Sequence, residues 1–109
     1  MHITAMVRGG EVINDVTRED AKEVALESVA TVTDSGCNIA GTSLSEISGE
    51  AKAVIDKADI IIAKGQGNFE TLHQCGKNIY YIFMCKCTMF TKRFSLPQFS
   101  GVLINERNI

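Results

Sequence analysis

Few of the features that announce a function at first sight occur in these 109 residues. No apolar stretch approaches the ~20 residues of a membrane-spanning helix; the run from Ile79 to Met84 is far too short. The opening Met1-His2-Ile3-Thr4 carries neither the charged nor the apolar region of a secretory leader, so a cytoplasmic protein without membrane contact is expected. Basic residues are not in excess: 11 Lys and Arg stand against 13 Asp and Glu, a net charge of −2. That balance gives no electrostatic case for nucleic acid or for anionic membrane. None of the four cysteines forms a Cys-x-x-Cys pair, and Cys85-Lys86-Cys87 has the wrong spacing for a zinc ribbon. Residues two apart on a strand end point the same way, which leaves a soft-metal or redox site there open beside the plainer reading of buried, inert thiols. His2 is terminal and His73 falls mid-helix, so a catalytic histidine pair is not expected.

What is present is an ordinary globular composition, 45% hydrophobic and 22% charged, long enough for one α/β domain over residues 1–109. Ile3 to Val7 is the first strand, ending at Arg8-Gly9-Gly10. Thr17 with Asp20 three residues on resembles a capping box, and Ala21, Val24, Ala25 and Val29 recur at helical spacing, predicting an amphipathic helix over 18–30. Thr31-Val32-Thr33 is a short strand closed by Asp34-Ser35-Gly36, and residues 34–45 form a surface loop anchored by Cys37 and Ile39. Ser48 caps a second helix whose apolar face is Ala51, Val54, Ile55 and Ala58.

Ala58 to Ala63 is a short apolar run bounded by glycines and is predicted to be a buried strand. A helix follows, with Asn68 as its N-cap and Gly76 as its C-cap glycine. Residues 78–84 are the most strand-like run in the chain. A helix over 87–95 with Met89, Phe90 and Phe94 inward, a break at Pro97 and a last strand at Val102-Leu103-Ile104 complete the order. Alternating strands and helices argue a right-handed βαβ architecture: a three-layer αβα sandwich around a largely parallel sheet of four to five strands, with the turns after the first and third strands on one edge.

Those turns carry the chemistry. Lys64-Gly65-Gln66-Gly67-Asn68-Phe69-Glu70 reads as strand, glycine turn, helix start, a place where backbone N–H groups meet anions in α/β folds. The plain alternative is a βα turn whose glycines serve only the backbone. Glu70 stands where a dinucleotide fingerprint needs its third glycine, and no P-loop run exists. Arg8, Arg18 and Lys64 suit phosphate oxygens; Asp15 with the amide of Asn14 suits a hard divalent cation. Metal-assisted phosphoryl transfer or hydrolysis is the reaction class this set suggests, against the plainer readings of Asn14-Asp15 as a turn pair and Arg18 as a solvated side chain.

The blocks Val7-Arg8-Gly9-Gly10, Ile13 to Ala21, Thr33-Asp34-Ser35-Gly36, Ala58 to Leu72 and Lys86-Cys87 together resemble the metal-dependent damage-control phosphatases, once catalogued as domain of unknown function eighty-nine, in their prokaryotic branch. The resemblance runs from about Ile3 to Phe94. It implies a Rossmann-like αβα phosphatase domain that binds one divalent metal (Mn, Co, Ni or Mg) and hydrolyses small phosphorylated metabolites. By the same resemblance Asp15 is a metal ligand and, with Lys64, a catalytic candidate, while Lys64 and Asn68 line the phosphate pocket. Arg8, Asn14, Gly65, Gln66, Gly67 and Glu70 border it. The family's Asp-Asn-x-Gly-Glu block has no counterpart here, and residues 94–99 differ from its more glycine-rich segment. The resemblance is therefore to the C-terminal part of the family's domain, which leaves two readings open: a phosphatase incomplete on its own, or a non-catalytic fragment that keeps a phosphate-binding pocket or serves as an oligomerisation or partner-binding module. Association with the missing part, or into a homo-oligomer, is expected from the apolar surface this would uncover.

Overall fold

A computed structural model describes residues 1–86 and 88–108. The reading of Cys87, both as partner of Cys85 and within the Lys86-Cys87 block, lies outside the described residues. The chain divides into two compact units, Met1–Lys57 and Ala58–Ile109. Both are mixed α/β.

In the first unit, β1 (Thr4–Val7) and β2 (Thr31–Asp34) pair in parallel, Thr4 opposite Thr31 and Val7 opposite Asp34. Parallel strands need a long crossover. Here it contains α1 (Arg18–Glu23) and a 3-10 turn at Leu26–Ser28. The capping box at Thr17 and Asp20 forms as predicted. The helix over 18–30 does not: α1 closes on Val24, and Ala25 takes a left-handed conformation at φ +54°. Ala21 is buried, whereas Val24 and Val29 are 74% and 72% exposed. The apolar stripe presupposed one continuous helix; a turn into the left-handed region sends later positions outward. Ser48 caps α2 (Gly49–Lys57), its Oγ accepting from Ala51 N at 3.1 Å. Ala51 and Ile55 are buried, but Ala58 lies beyond the helix and is exposed. Ile39 is exposed rather than an anchor; the loop holds itself by Ser35 and Thr42, both buried.

In the second unit, β3 (Ile61–Lys64) pairs in parallel with β4 (Ile79–Met84), and β4 pairs antiparallel with β5 (Gly101–Asn105). The crossover carries α3 (Gln66–Leu72), and α4 (Thr88–Phe94) precedes β5. β4 alternates strictly: Ile79, Tyr81 and Phe83 are buried, Tyr80, Ile82 and Met84 face out. The apolar run before Lys64 is not buried on both faces as expected. Ala63 is inside, but Ile60 and Ile62 are 61% and 65% exposed. On a pleated strand alternate residues take opposite faces, and α3 covers the Ala63 side. Met89, expected inward, is exposed; Phe90 is buried and Phe94 half-buried, both against Phe69.

The core of this unit is built on Phe69, which is fully buried. Its ring lies 5.0 Å from Phe83, 5.1 Å from Tyr81 and from His73, 5.4 Å from Phe90 and 5.7 Å from Phe94. The Arg93 guanidinium stands 5.4 Å from the same ring centre. Tyr81 and Phe90 meet it edge-on and Phe83 is stacked, geometries that aromatic quadrupoles favour. Tyr81 donates its hydroxyl to Glu106 at 2.5 Å, and Glu106 also accepts from Gln74 N, so the end of β5 is tied to the turn after α3. Burial, then that hydrogen bond, pushes the Tyr81 hydroxyl well above its ordinary pKa, so it stays a donor. Phe69→Ala is expected to cost about 3–5 kcal/mol in urea unfolding, whereas Met89→Ala, at an exposed position, changes stability by less than about 0.5 kcal/mol.

Candidate functional site

Parallel pairing places the exits of β1 and β2 on one edge of the first unit. The two exit loops are joined there. Gly9 N donates to Cys37 O at 3.0 Å and to Ser35 Oγ at 3.1 Å, and the Ser35 hydroxyl donates to Cys37 O. A Cβ on Gly9 would stand 2.5 Å from Cys37 N, so only glycine permits this approach. Beyond Gly10 a tight turn, closed by Asp15 N on Val12 O at 2.8 Å, presents Asn14 and Asp15. Its second residue, Ile13, has φ +49°, a rare conformation for a β-branched side chain and a strain of the kind that collects at functional sites.

Arg8 and Asp15 come together: Arg8 Nε donates to Asp15 Oδ2 at 2.8 Å, with side chains 13% and 39% exposed. Asn14 is exposed beside them. A cleft of about 570 Å³ is lined by both, by Arg18 and by Asp34. Arg18 Nε donates to Asp34 Oδ2 at 2.5 Å, and Gly36 N donates to Asp34 Oδ1 at 2.8 Å. The Arg18 hydrogen bond above all, helped by Gly36, holds the Asp34 carboxyl below its usual pKa, against a smaller opposing effect of burial. Sequence reasoning took Arg18 as a free cation or a solvated side chain and missed Asp34 as its partner. The signal lay in the parallel register, which puts the last residue of β2 beside the start of α1.

The other predicted residues belong to the second unit. Lys64 is the exposed last residue of β3. Gly65 follows at φ +99° and ψ 148°, a region open to glycine alone, and is the N-cap of α3. Asn68 is therefore not the N-cap that its residue type suggested. It lies inside the first turn, and its Nδ2 donates back to Lys64 O at 2.7 Å. The helix starts earlier because Gly65 makes the bend that a capping side chain would otherwise stabilise. Gln66 Nε2 donates to Glu70 Oε1 at 2.9 Å, and Gln66 Oε1 accepts from Lys86 N at 3.3 Å. Gln98 in turn donates to Lys86 O at 2.9 Å. Lys86, quoted above only within a resemblance, thus has its backbone gripped by two glutamines at the exit of β4. His73 ends α3 rather than standing mid-helix, with Nδ1 against the Phe69 and Glu70 carbonyls.

The expected metal meets a partial fit. Asp15 offers a carboxylate, but one of its oxygens is held by Arg8. Among the described residues no three His, Cys, Asp or Glu side chains converge. Asp15 and its neighbours do not by themselves form a cage. Cys85 is buried, in keeping with an inert thiol.

Against known families, the damage-control phosphatase ARMT1-like domain matches residues 1–100. The chain belongs to that family. A damage-control phosphatase of Pyrococcus horikoshii is 40% identical over 100 residues, covering 91% of this chain and 34% of the relative. An uncharacterised protein of Methanocaldococcus jannaschii is 38% identical over 106 residues, 94% of this chain and 35% of its own length. A damage-control phosphatase of Archaeoglobus fulgidus is 33% identical over 87 residues, 78% of this chain and 30% of its own length. The crystal structure of a DUF89 family protein from P. horikoshii superposes with a TM-score of 0.90 at 35% identity, covering 96% of this chain and 37% of that one. The chain thus spans about a third of the length of the curated relatives it matches. Among the described residues no helix is long and apolar enough to cross a membrane.

The Arg18–Asp34 pair has a pH signature. Asp34 has a lowered pKa in the folded state, so its contribution is complete above the unfolded carboxyl value near ~4 and is lost as pH falls through the lower folded value. Arg18→Gln is expected to lose a few tenths to about 1 kcal/mol at neutral pH, given the exposure of the pair. Urea unfolding should show that deficit shrinking towards zero as the pH falls from about 4 through the lowered folded value.

Proposed function

We propose that this chain serves a metal-dependent phosphatase reaction, hydrolysing the phosphomonoester of small phosphorylated metabolites. Family membership carries the reading: two of the matched relatives are named damage-control phosphatases. In the reaction a water oxygen bonds to phosphorus as the ester P–O bond breaks, and the charge gathered on the phosphoryl oxygens is what the protein must neutralise. Asp15 and Lys64 are the catalytic candidates. Lys64 is an exposed cation at the mouth of the Gly65 turn, beside Gln66, Gly67, Asn68 and Glu70. These residues and Asn14 are assigned to the phosphate and its surroundings. A divalent ion (Mn²⁺, Co²⁺, Ni²⁺ or Mg²⁺) is assigned to Asp15 together with ligands beyond the described residues.

A single three-layer αβα domain around a largely parallel sheet of four to five strands goes with this reading. It is supported by the likeness to a family structure, the described strands falling in separate sheets of two and three. A cytoplasmic setting goes with this reading, and the net charge of −2 gives no electrostatic case for a nucleic acid or membrane partner. Release of inorganic phosphate from p-nitrophenyl phosphate, assayed with each ion in turn, is the direct measurement. Turnover should fall at least ~100-fold in Asp15→Ala. No turnover with any of the four ions would end the claim that this chain works alone.

Self-association is part of the same proposal. Ile62, Tyr80, Ile82, Met84 and Leu103 are 65%, 41%, 42%, 45% and 69% exposed. They lie on neighbouring strands of the second unit, in register on the side away from Phe83 and Val102. A contiguous apolar sheet face of this kind rarely stays in water. Light scattering should find a dimer or larger species, which Ile82→Lys with Leu103→Lys converts to monomer; a monodisperse wild-type monomer would count against it.

A further inference from the structure

We propose that Arg8 acts on the reaction through Asp15, as a positioning residue, and does not itself hold the phosphate. The inference rests on the reading of Asp15 as a working carboxylate. Arg8 is the first residue beyond β1. Its N–H bonds Val16 O at 2.9 Å and it bridges Thr17, so the segment carrying Asn14 and Asp15 leaves and returns at one residue. The side chain closes the same loop from inside. Nε holds Asp15 Oδ2 at 2.8 Å, while Nη1 donates to Gly41 O and, at 3.4 Å, to Thr42 Oγ1.

One guanidinium therefore links the loop after β1 to the loop after β2. Its planar fork suits the task, because Nε and Nη1 point to different partners at a fixed angle. Thr42 is buried and the Arg8 side chain is only 13% exposed, so these bonds are sheltered from water. A phosphate taking Nε or Nη1 would leave either Asp15 without its cation or the Gly41 carbonyl without its donor, both costly in a sheltered site, so binding through these two nitrogens would come at the expense of the loop. Holding Asp15 in one rotamer, by contrast, matters to chemistry more than to folding: a displacement of ~1 Å in a reacting group can cost about 100-fold in rate.

The test compares Arg8→Gln, Arg8→Lys, Asp15→Asn and the Arg8→Gln/Asp15→Asn double variant of the full chain, each checked for folding by circular dichroism. Turnover of p-nitrophenyl phosphate with Mn²⁺ and inhibition by inorganic phosphate are the readouts. A positioning role lowers kcat about tenfold or more in both Arg8 variants while KM and phosphate inhibition move less than about twofold. Lysine gives no rescue, since one ammonium cannot span Asp15 and Gly41 O, and the Arg8 substitution costs nothing further in the Asp15→Asn background. A tenfold rise in KM and in the phosphate inhibition constant for Arg8→Gln, recovered by Arg8→Lys, overturns the inference and leaves the phosphatase reading standing; so does an Arg8→Gln enzyme like wild type. Full turnover in Asp15→Asn sinks the reading of Asp15 and the inference with it. If wild type does not turn over, a phosphate-induced rise in Tm replaces the assay: kept in Arg8→Gln it supports positioning, lost there it overturns it. Should wild type show no such rise either, urea unfolding of the four variants decides, additive losses at Arg8 and Asp15 overturning the inference.

Discussion

Parallel strand pairing is the constraint from which the rest of the structure follows. A parallel pair sends both chains out at the same edge, so two loops distant in sequence meet there and their backbone groups must find partners. In the first unit the loops after β1 and β2 meet through Gly9, Ser35 and Cys37, and Gly9 is glycine because a side chain would strike the other loop. In the second unit Gly65 N bonds Ile82 O and Gln66 accepts from Lys86 N, joining the exits of β3 and β4. The residues assigned to chemistry sit at these seams because a seam is where polar groups are already concentrated on a rigid edge.

The seams stay fixed because something large is buried immediately beside them. Phe69 lies one residue from Asn68 and four from Gly65, and five aromatic or imidazole rings close on it. Displacing α3 would expose that ring, so the Gly65 bend is held by the core rather than by its own hydrogen bonds. In the first unit the burden falls on polar contacts instead. Ser35, Thr42 and Arg8 hold the loops there, and this unit has no Phe, Tyr or Trp to bury beside them. A loop held by hydrogen bonds is sensitive to the loss of any one partner, since the group left behind has no alternative.

Much of the fold was legible in the sequence wherever a local rule and the tertiary context agreed. The capping box at Thr17, the Ser48 cap and the strands over Thr4–Val7, Thr31–Asp34, Ile79–Met84 and Gly101–Asn105 were of that kind, while β3 begins at Ile61 rather than at Ala58. Periodicity failed where it had to assume an uninterrupted element, as at Val24 and Val29, or where one face of an apolar strand carries no cover, as at Ile60 and Ile62. Asn68 failed for a different reason. Its side chain is a good cap in general, but a glycine three residues earlier could make a bend that no other residue can. The candidate residues were legible as residue types, and the family likeness ordered them. The pairings were not: Arg8–Asp15 depends on how the loop after β1 folds back onto Arg8, and Arg18–Asp34 on the register that sets the end of β2 beside the start of α1.

Those pairings change what the charges at the first seam can do. Two arginines near an edge suggest an anion site, yet each here meets an aspartate. A paired arginine attracts a phosphate far less than a free one, because the incoming anion must compete with a carboxylate already in bidding distance. Lys64 differs: it is the exposed last residue of β3 and forms no ion pair among the described residues. The same sequence thus divides its cations by task. Arginines, whose planar forks bind two partners at fixed angles, hold carboxylates and loops in place, whereas a lysine on a flexible stem is suited to the phosphate role proposed for Lys64. That division follows from side-chain shape alone, and it explains why Arg8, the most sheltered cation of the first seam, is better suited to aiming Asp15 than to catching phosphate.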